Sequence, residues 1–200
     1  MVATLALGVF LLTGCSEELK ESKVKSKKVA EKVEQIQKEA TKKPYVAEKY
    51  VQKPLPQKNQ PLTEKESEYI NVVGTSIDVY DENVNEISRL IKEAQANPSL
   101  MADTKWKSEI EGYFLSITNQ LGIFLIIENL DKVPERFEEL HEYTRNTFNF
   151  MSMAGRKMTQ GIENGLDKSL IGESTDLINK SNEELDKVTV EIQRITEEIS

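Results

Sequence analysis

The fold is decided by residues 63–96, which read TEKESEYINVVGTSIDVYDENVNEISRLIKEAQA. Thr63, followed three residues later by Glu66, has the form of a capping box and predicts the start of a helix. Asn97 and Pro98 predict its end, because the residue before a proline disfavours helical backbone. Such a helix is roughly 50 Å long at 1.5 Å per residue. Its apolar residues recur at alternating steps of three and four, the pattern of helices packed at shallow angles: Ile70, Val73, Ile77, Tyr80, Val84, Ile87, Ile91 and Ala94.

Three further amphipathic segments follow. The second predicted helix has an apolar seam with these members: Trp106, Ile110, Tyr113, Ile117, Phe124 and Ile127. Between Ile117 and Phe124 the seam passes through Gln120, and Leu121 shares that position. Residues 131–134 predict a turn, and the third helix presents one broad face: Phe137, Leu140, His141, Thr144, Phe148, Met151 and Met158. A polar, glycine-containing stretch is then expected to about Ser174. The last helix has apolar residues at heptad spacing: Ile178, Leu185, Val188, Ile192, Ile195 and Ile199. Within it, Ser181 with Glu184 has the form of a second capping box.

These periodicities predict an all-α fold. Four amphipathic helices joined by short connections fit an elongated antiparallel four-helix bundle, which we assign to residues 62–200. A coiled-coil hairpin that dimerises would satisfy the same narrow apolar faces, so homo-oligomerisation stays open. The sequence shows no alternation typical of strands.

Charge divides the chain into two parts. Residues 16–61 contain 12 of the 26 Lys and Arg and 7 of the 34 Asp and Glu, which gives this segment a net charge of +5. Residues 62–200 have a net charge of −13, so the chain as a whole has a net charge of −8. Residues 15–61 also hold four of the six prolines, which predicts a basic, partly helical or disordered tether. The acidic bundle argues against nucleic acid as a partner, because phosphate contacts need a basic face.

The N-terminus carries the most specific motif. An apolar run from Val2 to Leu12 leads into Leu12-Thr13-Gly14-Cys15, which contains the only cysteine of the chain. This arrangement resembles the lipobox of bacterial lipoproteins. The resemblance implies a signal peptide over residues 1–14, cleavage between Gly14 and Cys15, and acyl chains on Cys15 that hold the protein at the extracytoplasmic face of the cell membrane.

The sequence offers little for catalysis. Glu138 and His141 have the Glu-x-x-His spacing that di-iron bundles use, but His141 is the sole histidine, so the second motif of such a site is missing. We therefore expect no metal, no cofactor and no catalytic residue, and an imidazole at the edge of the bundle. Glu109 and Glu111 lie two residues apart and face different ways, which favours solvated surface carboxylates.

Two segments are candidates for contact with other molecules. Residues 122–127, GIFLII, are apolar around the whole helix, so Ile123, Phe124, Ile126 and Ile127 form a candidate face for an envelope protein partner. The alternative is that neighbouring helices cover this segment. The Met-rich residues 148–155 favour core filling, and a ligand pocket near Gly112, Gly122 and Gly155 is a further alternative.

We therefore predict a protein that acts through protein contacts at the cell envelope, in a structural, adaptor or surface-exclusion role. A ligand-binding or sensory bundle is the first alternative. An enzyme is the less favoured one, because the sequence contains no Gly-rich phosphate loop, Gly-x-Ser-x-Gly elbow or Cys-x-x-Cys pair. The fold of a helical bundle does not itself decide among these functions.

Overall fold

A computed structural model describes residues 61–199 together with Val24, Lys25, Lys27 and Glu31, and it is helical throughout its main elements. The four long helices of residues 61–199 are α1 (Glu64–Ala96), α2 (Thr104–Asn129), α3 (Glu138–Glu163) and α4 (Lys168–Ile199). Short 3-10 turns, Pro98–Ala102 and Glu135–Phe137, precede α2 and α3. No strand occurs among the described residues. The predicted all-α helical bundle is confirmed.

The predicted start and end of α1 are confirmed. The backbone N–H of Glu66 donates to Thr63 Oγ1 at 3.2 Å, and the Thr63 N–H donates back to Glu66 Oε2 at 2.8 Å. Pro98 begins the 3-10 turn after the C-cap residue Asn97. All eight residues of the predicted seam are buried, each at most 1% exposed. The 3–4 repeat therefore identified the core-facing side of this helix correctly.

Contacts between successive helices establish the antiparallel arrangement. Trp106, at the start of α2, donates through Nε1 to the carbonyl of Leu90, near the end of α1, at 3.1 Å. Arg145 in the first part of α3 pairs with Glu128 at the end of α2 at 2.9 Å. α3 and α4 make the most extensive backbone approach of any pair. The chain therefore runs up, down, up and down.

Small residues allow the close approach of α3 and α4. Ser174 Oγ donates to the carbonyl of Ala154 at 2.9 Å, and Ser181 Oγ donates to the carbonyl of Thr147 at 2.9 Å. The two serines lie seven residues apart on α4, and so do the two carbonyls on α3. A larger side chain at either serine would push the helices apart and remove a satisfied buried hydrogen bond.

The expected loop before the last helix is wrong. α4 begins at Lys168 rather than after Ser174, and Asp167 Oδ1 caps it by accepting from the N–H of Ser169 at 2.9 Å. Ser181 is therefore a buried mid-helix residue, and the second capping box predicted with Glu184 does not form. Ile171 and Ser174 are both buried, so packing against α3 maintains helix where the polar, glycine-containing sequence indicated a loop.

Ion pairs join the elements at one end of the bundle. Arg136, which precedes α3, approaches Glu198 near the end of α4 at 3.3 Å and Glu66 at the start of α1 at 3.9 Å. Within the predicted tether, Val24, Lys25, Lys27 and Glu31 are helical, and Lys25 Nζ pairs with Asp186 Oδ2 of α4 at 2.7 Å. One residue of the basic segment thus contacts the acidic bundle directly.

Candidate functional site

The lipobox residues Leu12, Thr13, Gly14 and Cys15 lie outside the described residues, as does most of the predicted tether. Lipidation of Cys15 and cleavage after Gly14 stay predictions. The described structure bears on the second candidate, the apolar segment of α2.

The predicted partner face divides between the two sides of α2. Phe124 is fully buried and stacks on Phe148, with ring centroids 5.5 Å apart, so it is a core residue and cannot contact a partner. Ile127 is partly buried against the core. In contrast, Ile126 is 60% exposed and Ile123 is 39% exposed. Neighbouring helices therefore cover only the inner side of this segment.

Sequence reasoning missed most of the exposed side. Leu115 is 60% exposed, and Leu125 and Leu130 are exposed as well. The residues along this side repeat the 3–4 spacing of the core seam on the opposite face of the helix, beginning at Gly112 and Leu115. We call this set the outer α2 face: Gly112, Leu115, Asn119, Gly122, Ile123, Ile126 and Leu130. The second repeat was the sequence signal that would have found it.

The outer α2 face is uncharged over most of its length. Residues 112–127 contain no Asp, Glu, Lys or Arg, in a chain that is 30% charged. Of the described helices, α2 alone is long and apolar enough to cross a membrane by length and composition, and 22% of its most apolar window is buried. A core helix of a soluble bundle can meet the same criterion, but most of its residues would be buried. The low burial therefore points to an apolar surface on α2.

A groove of about 360 Å³ lies between α2 and α3 beside this face. Leu115 belongs to both, and the groove is also lined by Phe114, Thr118, Ser152 and Gly155. The hydroxyls of Thr118 and Ser152 are hydrogen-bonded to each other at 2.8 Å, and Thr118 Oγ1 also contacts the carbonyl of Phe114 at 2.9 Å. Of the three glycines predicted near a pocket, only Gly155 lines this groove, whereas Gly112 and Gly122 face open space.

A chain of aromatic rings runs through the core. Phe137 stacks on Tyr69 at 5.7 Å, and His141 lies 5.6 Å from Phe124, measured between ring centroids. Tyr69 Oη lies 3.0 Å from His141 Nδ1. The expectation of an imidazole at the bundle edge is therefore wrong, because α3 directs His141 inward, where it is 5% exposed and lies beside Tyr69 and Phe124.

His141 is uncharged at neutral pH. Burial lowers its pKa, Glu128 opposes that effect, and Arg145 adds to it. Burial also raises the pKa of Tyr69 far above its ordinary range, so the phenol stays protonated. His141 Nε2 has no hydrogen-bond partner among the described residues. This pair is a neutral contact within the core that leaves Nε2 of His141 without a partner, whereas proton transfer needs access to a substrate.

Neither the Glu-x-x-His pair nor the two neighbouring carboxylates of α2 form a cluster in the described part of the chain. Glu138 is exposed while His141 is buried, so the Glu-x-x-His pair does not face one site. Among the described residues, no group of three or more His, Cys, Asp and Glu could hold a metal ion. Glu111 is exposed and Glu109 pairs with Lys105 at 3.8 Å. These carboxylates lie on the solvated surface.

Comparison with known proteins identifies no relative. No family model matches the chain, and neither the curated proteins nor the solved structures give a significant match. The outer α2 face is thus the described feature on which a functional proposal can rest.

Proposed function

We propose that this is a lipid-anchored protein at the extracytoplasmic face of the cell membrane, and that it acts by binding a protein partner through the outer α2 face. Its role is structural, adaptor or surface-exclusion, and no catalytic step is part of it. Cys15 supplies the membrane attachment, and the bundle supplies the rigid surface.

The exposed apolar side chains of α2 carry the proposal. Burying apolar surface is favourable by about 25 cal/mol per Å², so exposed Leu115 and Ile126 cost free energy while they face water. Contiguous apolar patches on soluble proteins usually mark interaction sites. The face also lies along one helix, α2, which packs against α1 and α3. Such a surface can dock a partner without first becoming ordered.

Charge favours a protein over the membrane as the occupant of this face. The bundle has a net charge of −13, and an anionic membrane surface repels it. The basic tether is attracted to the same surface by roughly 1 kcal/mol per Lys close to it. The lipid end is therefore expected to lie at the membrane and the outer α2 face to lie away from it.

The test compares two exposed apolar residues on different helices. Ile126→Asp places a charge on the outer α2 face, and Val190→Asp places the same charge at Val190 of α4, which is 68% exposed and outside the face. Proteins crosslinked to the wild-type chain in intact cells are identified by mass spectrometry. The proposal expects a partner that wild type and Val190→Asp capture and Ile126→Asp loses. Capture of the same partners by Ile126→Asp would overturn it.

The groove beside Leu115 supports a second candidate, a ligand-binding bundle. Its volume of about 360 Å³ lies at the lower end of the range of small-molecule sites. Phe114 provides an apolar wall, while Arg156 and Glu111 provide charges at the rim. A thermal-shift screen with small molecules tests this candidate. A ligand that stabilises wild type but not Leu115→Trp, in which a larger exposed side chain narrows the groove, would favour it.

A further inference from the structure

We infer that the basic segment of residues 22–36 docks as a fifth helix in the groove between α1 and α4, which we call the α1/α4 groove. The partner of this groove is thus a part of the same chain. None of the residues involved belongs to the outer α2 face, so the docking goes beyond the proposed function and does not depend on it.

The α1/α4 groove lies between two neighbouring helices whose backbones stay apart. α2 packs closely on α1, and α3 packs closely on both α2 and α4, but α1 and α4 have no comparable backbone approach. Tyr80 of α1 spans the gap, and its hydroxyl oxygen lies 3.1 Å from Ser181 Oγ of α4. Gly74 and Ser88, on the side of α1 away from α2, are nevertheless buried, and so is Asn182 beside Ser181. Their burial indicates that a further element covers the groove.

One contact shows which part of the chain reaches the groove. Lys25 Nζ pairs with Asp186 Oδ2 of α4 at 2.7 Å and lies 3.4 Å from the carbonyl oxygen of Asn182. The Lys25 side chain is only 15% exposed, which is low for a lysine on a helix surface. The basic segment is therefore held against the α4 wall of the groove at this residue.

The charges of the segment and of the groove are complementary. On the α1 wall, Asp78 and Asp81 continue the 3–4 spacing that begins at Gly74, and Asp186 adds a third carboxylate on the α4 wall. Residues 22–36 contain five Lys and two Glu, a net charge of +3. Opposite charges on the two sides favour this segment as the occupant of the groove.

The described residues of the segment show which of its sides faces the bundle. They are helical, and all except Lys25 are exposed: Val24, Lys27 and Glu31. At about 3.6 residues per turn, these three lie together on the side opposite Lys25. From Lys25, steps of four, four and three residues lead along its own side to the aliphatic residues Val29, Val33 and Ile36. The side that Lys25 turns toward α4 is therefore the apolar side of the docked helix.

Docking shortens the link between the lipid of the proposed function and the bundle. Cys15 is ten residues from Lys25, which is at most about 36 Å of extended chain, whereas the 46 residues from Cys15 to Pro61 could extend to about 160 Å. α2 has no close backbone approach to α4 comparable to those with α1 and α3, so the outer α2 face lies on the side away from α4. The anchor thus holds the α4 side near the membrane and turns the outer α2 face outward.

Thiol labelling of the full chain tests the docking. Cys15→Ala removes the only native thiol, so the test does not depend on lipidation. In this background Val33→Cys is expected to face the groove, and Glu31→Cys is the matched position on the exposed side. A maleimide should label Val33→Cys about tenfold or more slower than Glu31→Cys in the purified protein, because a buried thiol reacts only when the segment opens. Equal labelling rates would overturn the docking.

A charge reversal on α4 tests the place of docking. Asp186→Lys turns the ion pair with Lys25 into a repulsion and should speed the labelling of Val33→Cys roughly fivefold. Asp176→Lys makes the same charge change at an exposed position of α4 outside the groove and should leave the rate unchanged. Protection that Asp186→Lys leaves intact would overturn docking in the α1/α4 groove. The crosslinking comparison of Ile126→Asp involves none of these residues, so the partner face succeeds or fails separately.

Discussion

His141 shows how a single residue can look like a site and be part of a core. Its ring lies beside Tyr69 and Phe124, and its Nδ1 atom is hydrogen-bonded to the Tyr69 hydroxyl. Because burial lowers its pKa, the folded protein holds this imidazole neutral while the unfolded chain still binds a proton near pH 6.5. The consequence is a dependence of stability on pH rather than a catalytic group.

The first prediction concerns this pH dependence. Below pH 6.5 the unfolded chain binds more protons at His141 than the folded chain does, so the free energy of unfolding falls as pH falls toward the lowered folded pKa. Above 6.5 both states are neutral and the contribution vanishes. Urea unfolding at about pH 7.5 and about pH 5, on either side of the ordinary histidine pKa, should show a larger loss for wild type than for His141→Gln. Equal losses would mean that His141 is charged in the fold.

At the scale of elements, the packing of α2 against α3 requires a glycine at position 155. A Cβ built on Gly155 would lie 2.7 Å from Phe114 Cβ, which is closer than side chains approach. Phe114 is buried and belongs to α2, although the predicted seam of that helix passed through Tyr113. The close approach of these two helices is therefore fixed by a contact that periodicity alone did not identify.

The second prediction compares two helical glycines. Gly155→Ala should lower the free energy of unfolding by about 1–3 kcal/mol, because Phe114 must leave its position to admit the new methyl group. The matched control is Gly172→Ala in α4, where nothing lies within 4 Å of the built Cβ. That change should raise stability by roughly 0.5–1 kcal/mol, because alanine favours helix over glycine. Thermal unfolding of the two variants checks both signs, and a stabilised Gly155→Ala would contradict the described packing.

The helices differ in how much of them the sequence could predict. α1 was predicted from end to end, because its capping box, its terminating Pro98 and its repeat all agree. The start of α4 was not, since Gly172 and several polar residues favour a loop locally and only burial of Ile171 and Ser174 against α3 maintains the helix. Two of the seven residues that define the outer α2 face were predicted. Its residues 123 and 126 were named, but the difference between a covered and an exposed apolar residue depends on neighbouring helices.

At the scale of the whole molecule, the proposal joins a lipid at one end of the chain to a docking surface on the bundle. Lys25 contacts α4, so at least one residue of the basic segment lies against the bundle rather than extending from it. The acidic bundle and the basic tether thus attract each other through a direct ion pair.

The third prediction concerns the anchor. Cys15→Ala should move the protein from the membrane fraction to the soluble fraction, because two or more acyl chains provide stable attachment and the basic segment alone does not. Fractionation of cells followed by immunoblotting measures the distribution. Ser16→Ala, next to the lipobox cysteine, is the matched control and should stay in the membrane fraction. A Cys15→Ala protein that stays there too would show that another part of the chain holds it.

The central claim, that the outer α2 face is covered by a protein partner outside the cytoplasm, is tested most directly by thiol labelling of intact cells. Ile126→Cys and Val190→Cys place reactive groups at two exposed positions of the bundle, one on the face and one outside it. A membrane-impermeant maleimide should label Val190→Cys in intact cells and leave Ile126→Cys protected, whereas both should react in the purified monomer. Equal labelling of the two in cells would contradict a covered face, and no labelling of either would contradict the extracytoplasmic location.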